Sequence, residues 1–276
     1  MPAPALTVTL LPGAEAILSE HQRELPQKNE LCGAFWVTLA LRALDSQALE
    51  QDHVGLAASS LLSVVQKSSD LPPGEAGRTD YVLELVRTDD AEVDSGTSSE
   101  GLMVATSTLS EGRLAAVPVT GEWTADRVKE LLIGLAELNV EGLVIANSAT
   151  RFLWGSRVDA GLMVGALMAG DTSGPAPDWN VGHFIGVLGW LSGPGGDLII
   201  CADTYPSLGL NGIHVQPFDA MAASLNRADS AYSGGMLLLV PTSADGKVRG
   251  LVSSVGLTAA LWDNGTPYRP GWAPAK

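Results

Sequence analysis

The chain reads as an α+β domain, with helices first and then a set of strands interrupted by helices. Three observations carry that reading. Residues 32–45 (CGAFWVTLALRALD) form an apolar run long enough for a helix rather than a strand. Three short apolar runs, 183–190 (HFIGVLGW), 197–202 (DLIICA) and 235–241 (GMLLLVP), crowd the second half as strands. The order of these segments is not the regular strand–helix alternation of a parallel sheet. With 276 residues, 46% of them hydrophobic and 17% charged, the chain can bury one sizeable core and is read as a single domain over 1–276.

Taken in order, residues 1–31 read as extended or loop-like, with prolines at 2, 4, 12 and 26. Segment 32–45 is apolar all round, which marks a buried helix, and Asn29 and Glu30 stand where a cap would. Residues 47–67 read as a second helix with Val54, Leu56, Leu61, Leu62 and Val65 on its apolar face, stopped by Pro72, Pro73 and Gly74. Segment 80–87 is ambiguous between helix and strand. The acidic, serine-rich stretch 89–101 reads as a loop or flexible insertion. A strand at 113–119 is followed by an amphipathic helix from Trp123 to Leu138 with Thr124 as its cap, then by a strand at 140–147. The turn SGPGG at 192–196 joins the strands at 183–190 and 197–202 as a hairpin. A short helix is expected at 217–226, and a final strand or helix–strand mix at 249–262.

Composition excludes several functions. Acidic residues number 31 and basic residues 16, a formal charge of −15 that repels phosphates, so neither nucleic acid nor an anionic membrane surface is an expected partner. The apolar runs fall short of the roughly 18–20 residues a membrane span needs. The N-terminal MPAPALTVTLLPGAEAILSE lacks the basic start of a signal peptide, so a cytoplasmic location is expected. Two cysteines, Cys32 and Cys201, rule out a disulfide-dense scaffold and a four-thiolate zinc site. No phosphate-binding loop, serine-hydrolase elbow, HExxH or CxxC pair is present, and no metal or organic cofactor is expected.

What remains is one cysteine and four scattered histidines. Cys32 opens the buried helix, where the helix N-terminus favours a thiolate, and Gly33 leaves the sulfur uncrowded. A cysteine there, taken alone, reads first as a small buried hydrophobe at a helix start. Gln27, five residues before it, can fold back to donate to an oxyanion together with the Cys32 N–H. His183 opens one strand of the hairpin and Asp203 follows the other, so the two side chains can meet, the carboxylate orienting the imidazole towards Cys32. Asp203 also suits an Asx turn before Thr204-Tyr205-Pro206. Asp197 and Asn211 are the other groups near enough in sequence to orient the ring. His53, beside Asp52, reads as solvated. His214 sits in a loop that could line the cleft. Cys201 reads as core, with redox pairing to Cys32 as the other option, and Trp179 stands where it could shade His183 from water. The remaining tryptophans, at 36, 123, 154, 190, 262 and 272, read as core or rim residues.

The string from Gln27 to Cys32-Gly33, followed by an apolar helix, resembles the QxxxxCG start of papain-like cysteine peptidases, most closely the C39-like branch that trims bacteriocin leaders. Gly182-His183-Phe184-Ile185 resembles that branch's GHF[VI] strand, and Asp203 its Asp, with Thr204 and Tyr205 before Pro206. The resemblance implies a papain-like fold: a nucleophile-bearing helical part (20–70), a large insertion (70–180) and a His/Asp-bearing β part (180–245), with the helix packed on a twisted antiparallel sheet. It implies Cys32 as nucleophile, His183 as base and acid, Asp203 as orienter and Gln27 as oxyanion donor. The expected activity is a cysteine peptidase or amidase acting through a thioester on a peptide, small amide or thioester substrate. An amide-forming acyltransferase of specialised metabolism and a non-catalytic binding module of the same fold are the alternatives. The double-glycine leader substrate of the C39-like branch has no signature here.

Overall fold

Side chains along a strand alternate between its two faces, and here both faces are apolar, so the sheet must be covered on both sides. The structure is a computed structural model describing residues 6–65, 67, 70–90, 94–155 and 158–271. Its strands are β1 (Thr7–Leu10), β4 (Leu114–Val119), β5 (Leu143–Ala149), β6 (Gly182–Ser192), β7 (Asp197–Ala202), β8 (Ile213–Pro217) and β9 (Gly235–Pro241), with a separate pair β2 (Leu61–Ser63) and β3 (Val86–Thr88). The main sheet has seven strands in the order β4-β9-β5-β6-β7-β8, with β1 also pairing on β6. Every pairing in it is antiparallel.

Leu143 and Ile145, Phe184 and Leu188, and Leu237 and Leu239 point to one face. Helices α1 (Ala14–Glu24), α2 (Cys32–Asp45), α3 (Gln51–Ala57) and α4 (Ser99–Leu109) lie on that side. Val144, Ala146, Ile185, Val187, Met236 and Leu238 point to the other, against α5 (Ala125–Leu138), α7 (Phe218–Asn226) and α8 (Asp245–Ser254). Helix α6 (Ala160–Ala169) closes a small satellite cluster over β7 and β8. The architecture is therefore α+β, with helices on both faces of an antiparallel sheet. No helix among the described residues is long and apolar enough to cross a membrane.

Two glycines let α2 lie close on β6. A Cβ on Gly186 would stand 2.7 Å from Trp36 Cη2, and one on Gly33 would stand 2.6 Å from Leu102 Cδ1 and 3.2 Å from Phe184 Cδ2. The Trp36 indole then donates from Nε1 to the Phe184 carbonyl at 2.9 Å, locking the helix to the strand one residue after His183.

Several expectations need correction. The N-terminal stretch holds β1 and α1 rather than loop, and His21 of α1 is fully buried. Asn29 and Glu30 do not cap α2: the Asn29 side chain accepts from the Arg78 N–H at 2.9 Å and Glu30 from the Ser63 N–H at 2.6 Å. The helix expected over 47–67 stops at Ala57, and Leu61–Ser63 pairs as a strand; Leu56 and Val65 are exposed. Residues 99–109 form α4, because Ser98 caps it by accepting from the Gly101 N–H. Residues 213–217, read as loop, are β8, and 245–254 are helical. Residues 70–180, expected as an insertion, carry β4 and β5, which pair with β9 and β6 inside the main sheet. Trp272 lies outside the described residues.

Candidate active site

The start of α2, the start of β6 and the end of β7 converge on one cleft of about 260 Å³. Cys32, half-buried, and His183, Gln27 and Tyr205, all buried, line it. The structure brings together all four residues that the sequence singles out. His183 Nε2 lies 3.0 Å from Asp203 Oδ1 and 3.2 Å from Thr204 Oγ1. The Cys32 sulfur lines the same cleft and acts on the His183 ring electrostatically; with Nε2 engaged by Asp203 and Thr204, Nδ1 is the ring nitrogen left for the sulfur. Asp197 is engaged instead by Lys129 at 2.5 Å, and the Asn211 carbonyl accepts from Gln22 at 3.0 Å.

Hydrogen-bond roles fix the proton positions. The Thr204 hydroxyl donates to Gln27 Oε1 at 2.5 Å, so its lone pairs accept the His183 Nε2–H. That bond also turns the Gln27 amide: its oxygen is occupied, and Nε2, with no protein acceptor among the described residues, is left for the cleft. The Gln27 N–H donates to the Thr204 carbonyl at 2.9 Å, tying the approach loop to the residue after Asp203. The Cys32 N–H belongs to the first turn of α2, whose amides have no intrahelical acceptor.

Asp203 is held from three further sides, two at its carboxylate and one at its backbone carbonyl. Asp203 Oδ1 accepts from the Thr204 N–H at 2.7 Å, and Oδ2 faces His214 Nε2 at 3.8 Å. Gln216 accepts the Trp154 N–H at 2.7 Å through its oxygen, so its amide nitrogen donates to His214 Nδ1 at 3.2 Å. The His214 proton therefore sits on Nε2, aimed at Asp203. His21 Nε2 donates to the Asp203 carbonyl at 2.6 Å, with its ring stacked 5.4 Å from Trp36. Burial keeps His21 below its ordinary value, which suits a neutral donor.

Burial alone would push the His183 ring down. The adjacent Asp203 charge and hydrogen bond, with the Cys32 sulfur, outweigh it and hold the ring up to about 10. Burial would likewise push Asp203 up, but the His183 charge and hydrogen bond, backed by His214, hold it well below the usual carboxylate range. Trp179 stands edge-on to the imidazole at 4.8 Å, and Tyr205 lies 6.1 Å away on a nearly parallel plane, so two aromatic rings border the base.

The loop before Cys32 is anchored by a pair the sequence did not mark. Lys28 Nζ lies 2.5 Å from Asp52 Oδ1, and both side chains are buried. Asp52 also accepts from the Val82 N–H and from the Leu83 N–H at 2.9 Å. His53 Nδ1 accepts the Glu50 N–H at 3.2 Å and completes a capping box on α3. Cys201 is fully buried on the α5/α7 side of the sheet, whereas Cys32 packs with the α1–α4 side, so they face away from each other and both are free thiols. No group of three or more His, Cys, Asp and Glu side chains among the described residues is arranged to hold a metal ion.

A comparison with curated proteins finds no match to the chain. A model of a family of unknown function, DUF6885, matches residues 11–263, and the chain belongs to that family.

Proposed function

We propose that this protein is a cysteine-dependent acyl-transfer enzyme, a peptidase or amidase in its hydrolytic form, built on a papain-like plan. The observation that carries the reading is the meeting of the Cys32 sulfur, the His183 ring hydrogen-bonded to Asp203, and the Gln27 amide in one cleft. A buried imidazole held up to about 10 is protonated at neutral pH and supports a thiolate beside it.

In the first half-reaction the Cys32 sulfur attacks the carbonyl carbon and forms a C–S bond. The carbonyl electron pair moves onto oxygen, which accepts from Gln27 Nε2–H and the Cys32 N–H. Collapse breaks the bond to the leaving amine, which takes the proton from His183 Nδ1. In the second half, water attacks the thioester and gives its proton to Nδ1; the C–S bond breaks, and the acid and the thiolate are released. Asp203, Thr204 and His214 position the ring and touch no reacting atom. An amine in place of water would make an amide.

The test is an activated acyl ester such as p-nitrophenyl acetate. A burst of nitrophenolate equal to the protein concentration, with the acetyl group found on Cys32 by mass spectrometry and absent in Cys32→Ala, supports the reading. A wild-type protein that takes up no acyl group on Cys32 overturns it and leaves a binding module of the same shape. Offering water against amines to the trapped acyl-enzyme then separates hydrolase from ligase.

A further inference from the structure

Arg227 lines the cleft that holds Cys32 and His183, on the wall formed by Gly182 and Asn147. It is only 6% exposed, at the end of α7. Its guanidinium nitrogens stand 3.6 and 3.7 Å from where a Gly182 Cβ would be, an ordinary contact distance that puts the cation beside the residue just before His183. Nη2 donates to Asn147 Oδ1 at 2.6 Å and to the Asn147 carbonyl at 3.2 Å. Nε is buried without any hydrogen-bond partner, and Nη1 has no acceptor among the described residues. No described carboxylate forms an ion pair with it; Asp94, in the same cleft, attracts it from farther away. Burial and the Arg151 charge push the guanidinium down to about 10, so it remains cationic at neutral pH.

A buried arginine that only bridged structure would have its donors satisfied, because unpaired buried charge is costly. This one keeps donor capacity open in the cleft of the proposed nucleophile, whereas Arg42, Arg78, Arg113 and Arg151 each pair with a carboxylate.

We propose that Arg227 anchors a carboxylate of the substrate, placed so that the carbonyl to be attacked lies over Cys32. A carboxylate fits better than a phosphate. One guanidinium meets one negative charge, whereas Glu30, Asp70 and Asp94 on the other walls would repel a dianion. The carboxylate is either a free α-carboxylate or the side chain of an acidic residue. This assignment rests on the acyl-transfer reading for its purpose but not for its test, which measures binding alone.

Binding of three small probes to the full chain is measured by calorimetry. N-acetylglycine carries a terminal carboxylate, N-acetylglutamic α-amide carries only a side-chain carboxylate, and N-acetylglycinamide carries neither. At least one carboxylate probe is expected to bind wild type and Cys32→Ala alike. It should bind tenfold or more tighter than the neutral amide, and Arg227→Gln should lose that advantage while Arg227→Lys keeps part of it. Which carboxylate probe binds identifies the source of the charge. The amide comparison uses wild-type protein and stands even if Arg227→Gln does not fold. Equal binding of amide and carboxylates, carboxylate binding unchanged in a folded Arg227→Gln, or inorganic phosphate binding tighter than both carboxylate probes would overturn the proposal. Carboxylate binding that survives while Cys32 takes no acyl group refutes the thiol chemistry instead, so the two failures are distinguishable.

Discussion

Replacing Lys28 by Met tests whether the loop before Cys32 is held by a buried charge. Lys28 is 1% exposed and Asp52 is fully buried, so removing the ammonium leaves a carboxylate away from water. Asp52 keeps the Val82 and Leu83 N–H donors but no cation, because its only ion-pair partner among the described residues is Lys28. Breaking such a pair typically costs about 3–5 kcal/mol, which for a chain of this size lowers the melting temperature by roughly 6–20 °C. Lys28→Met/Asp52→Asn removes both charges and should recover most of the loss, to within about 1–2 kcal/mol of wild type. Urea unfolding of the four proteins in the cycle gives the coupling directly. Because Gln27 and Cys32 flank this anchor, the single variant should also react more slowly at Cys32 than the double variant. A Lys28→Met protein within about 1 kcal/mol of wild type, or a double variant no better than the single, would show that the buried pair does not hold the loop.

Three further outcomes follow from the same geometry. Gly186→Ala places a methyl 2.7 Å from the Trp36 ring and should cost about 1–3 kcal/mol in urea unfolding while lifting α2 off β6 and slowing labelling of Cys32. Gln27→Ala should cut turnover of any substrate found by about 10²–10³ with little change in the stoichiometry of Cys32 labelling, as expected for an oxyanion donor. His183 is held above its unfolded value of about 6.5, so the stability it lends is complete below that pH and lost as pH rises through about 10. Asp203 is held below its unfolded value, so its contribution is complete above about pH 4 and lost in acid. The urea midpoint should therefore fall between pH 7 and 10, and His183→Gln should flatten that slope.

Much of the frame was legible because strong periodicity and strong punctuation coincide. The helix at 32–45 and the strands at 197–202 and 235–241 match their expected bounds, each being a short or long apolar run closed by polar or turn residues. Cys32, His183, Asp203 and Gln27 were legible through motif spacing, and they share one cleft region. Helix α4 was obscured by the acidic, serine-rich residues before it, although Ser98 with a hydroxyl bonded to the Gly101 N–H is an ordinary cap. His214 was read as loop because β8 is only five residues long and ends in Pro217. Lys28 and Asp52 were not legible at all: a lysine in a loop and an aspartate at a helix start are usually solvated, and only the fold shows that each buries the other. Arg227 gave no signal either, since an arginine after a helix end normally points to water.

The chemistry proposed for the cleft turns on the state of the Cys32 sulfur, and its rate of alkylation by iodoacetamide at pH 6 measures that state. An ordinary thiol, with a pKa of about 8.5, is less than about 1% ionised at that pH and reacts slowly. Rapid, one-to-one labelling of Cys32 is expected in the wild-type protein, with a rate at least about tenfold lower in a folded His183→Ala variant. Labelling as slow as that of an ordinary thiol, or a rate indifferent to His183, would contradict that chemistry.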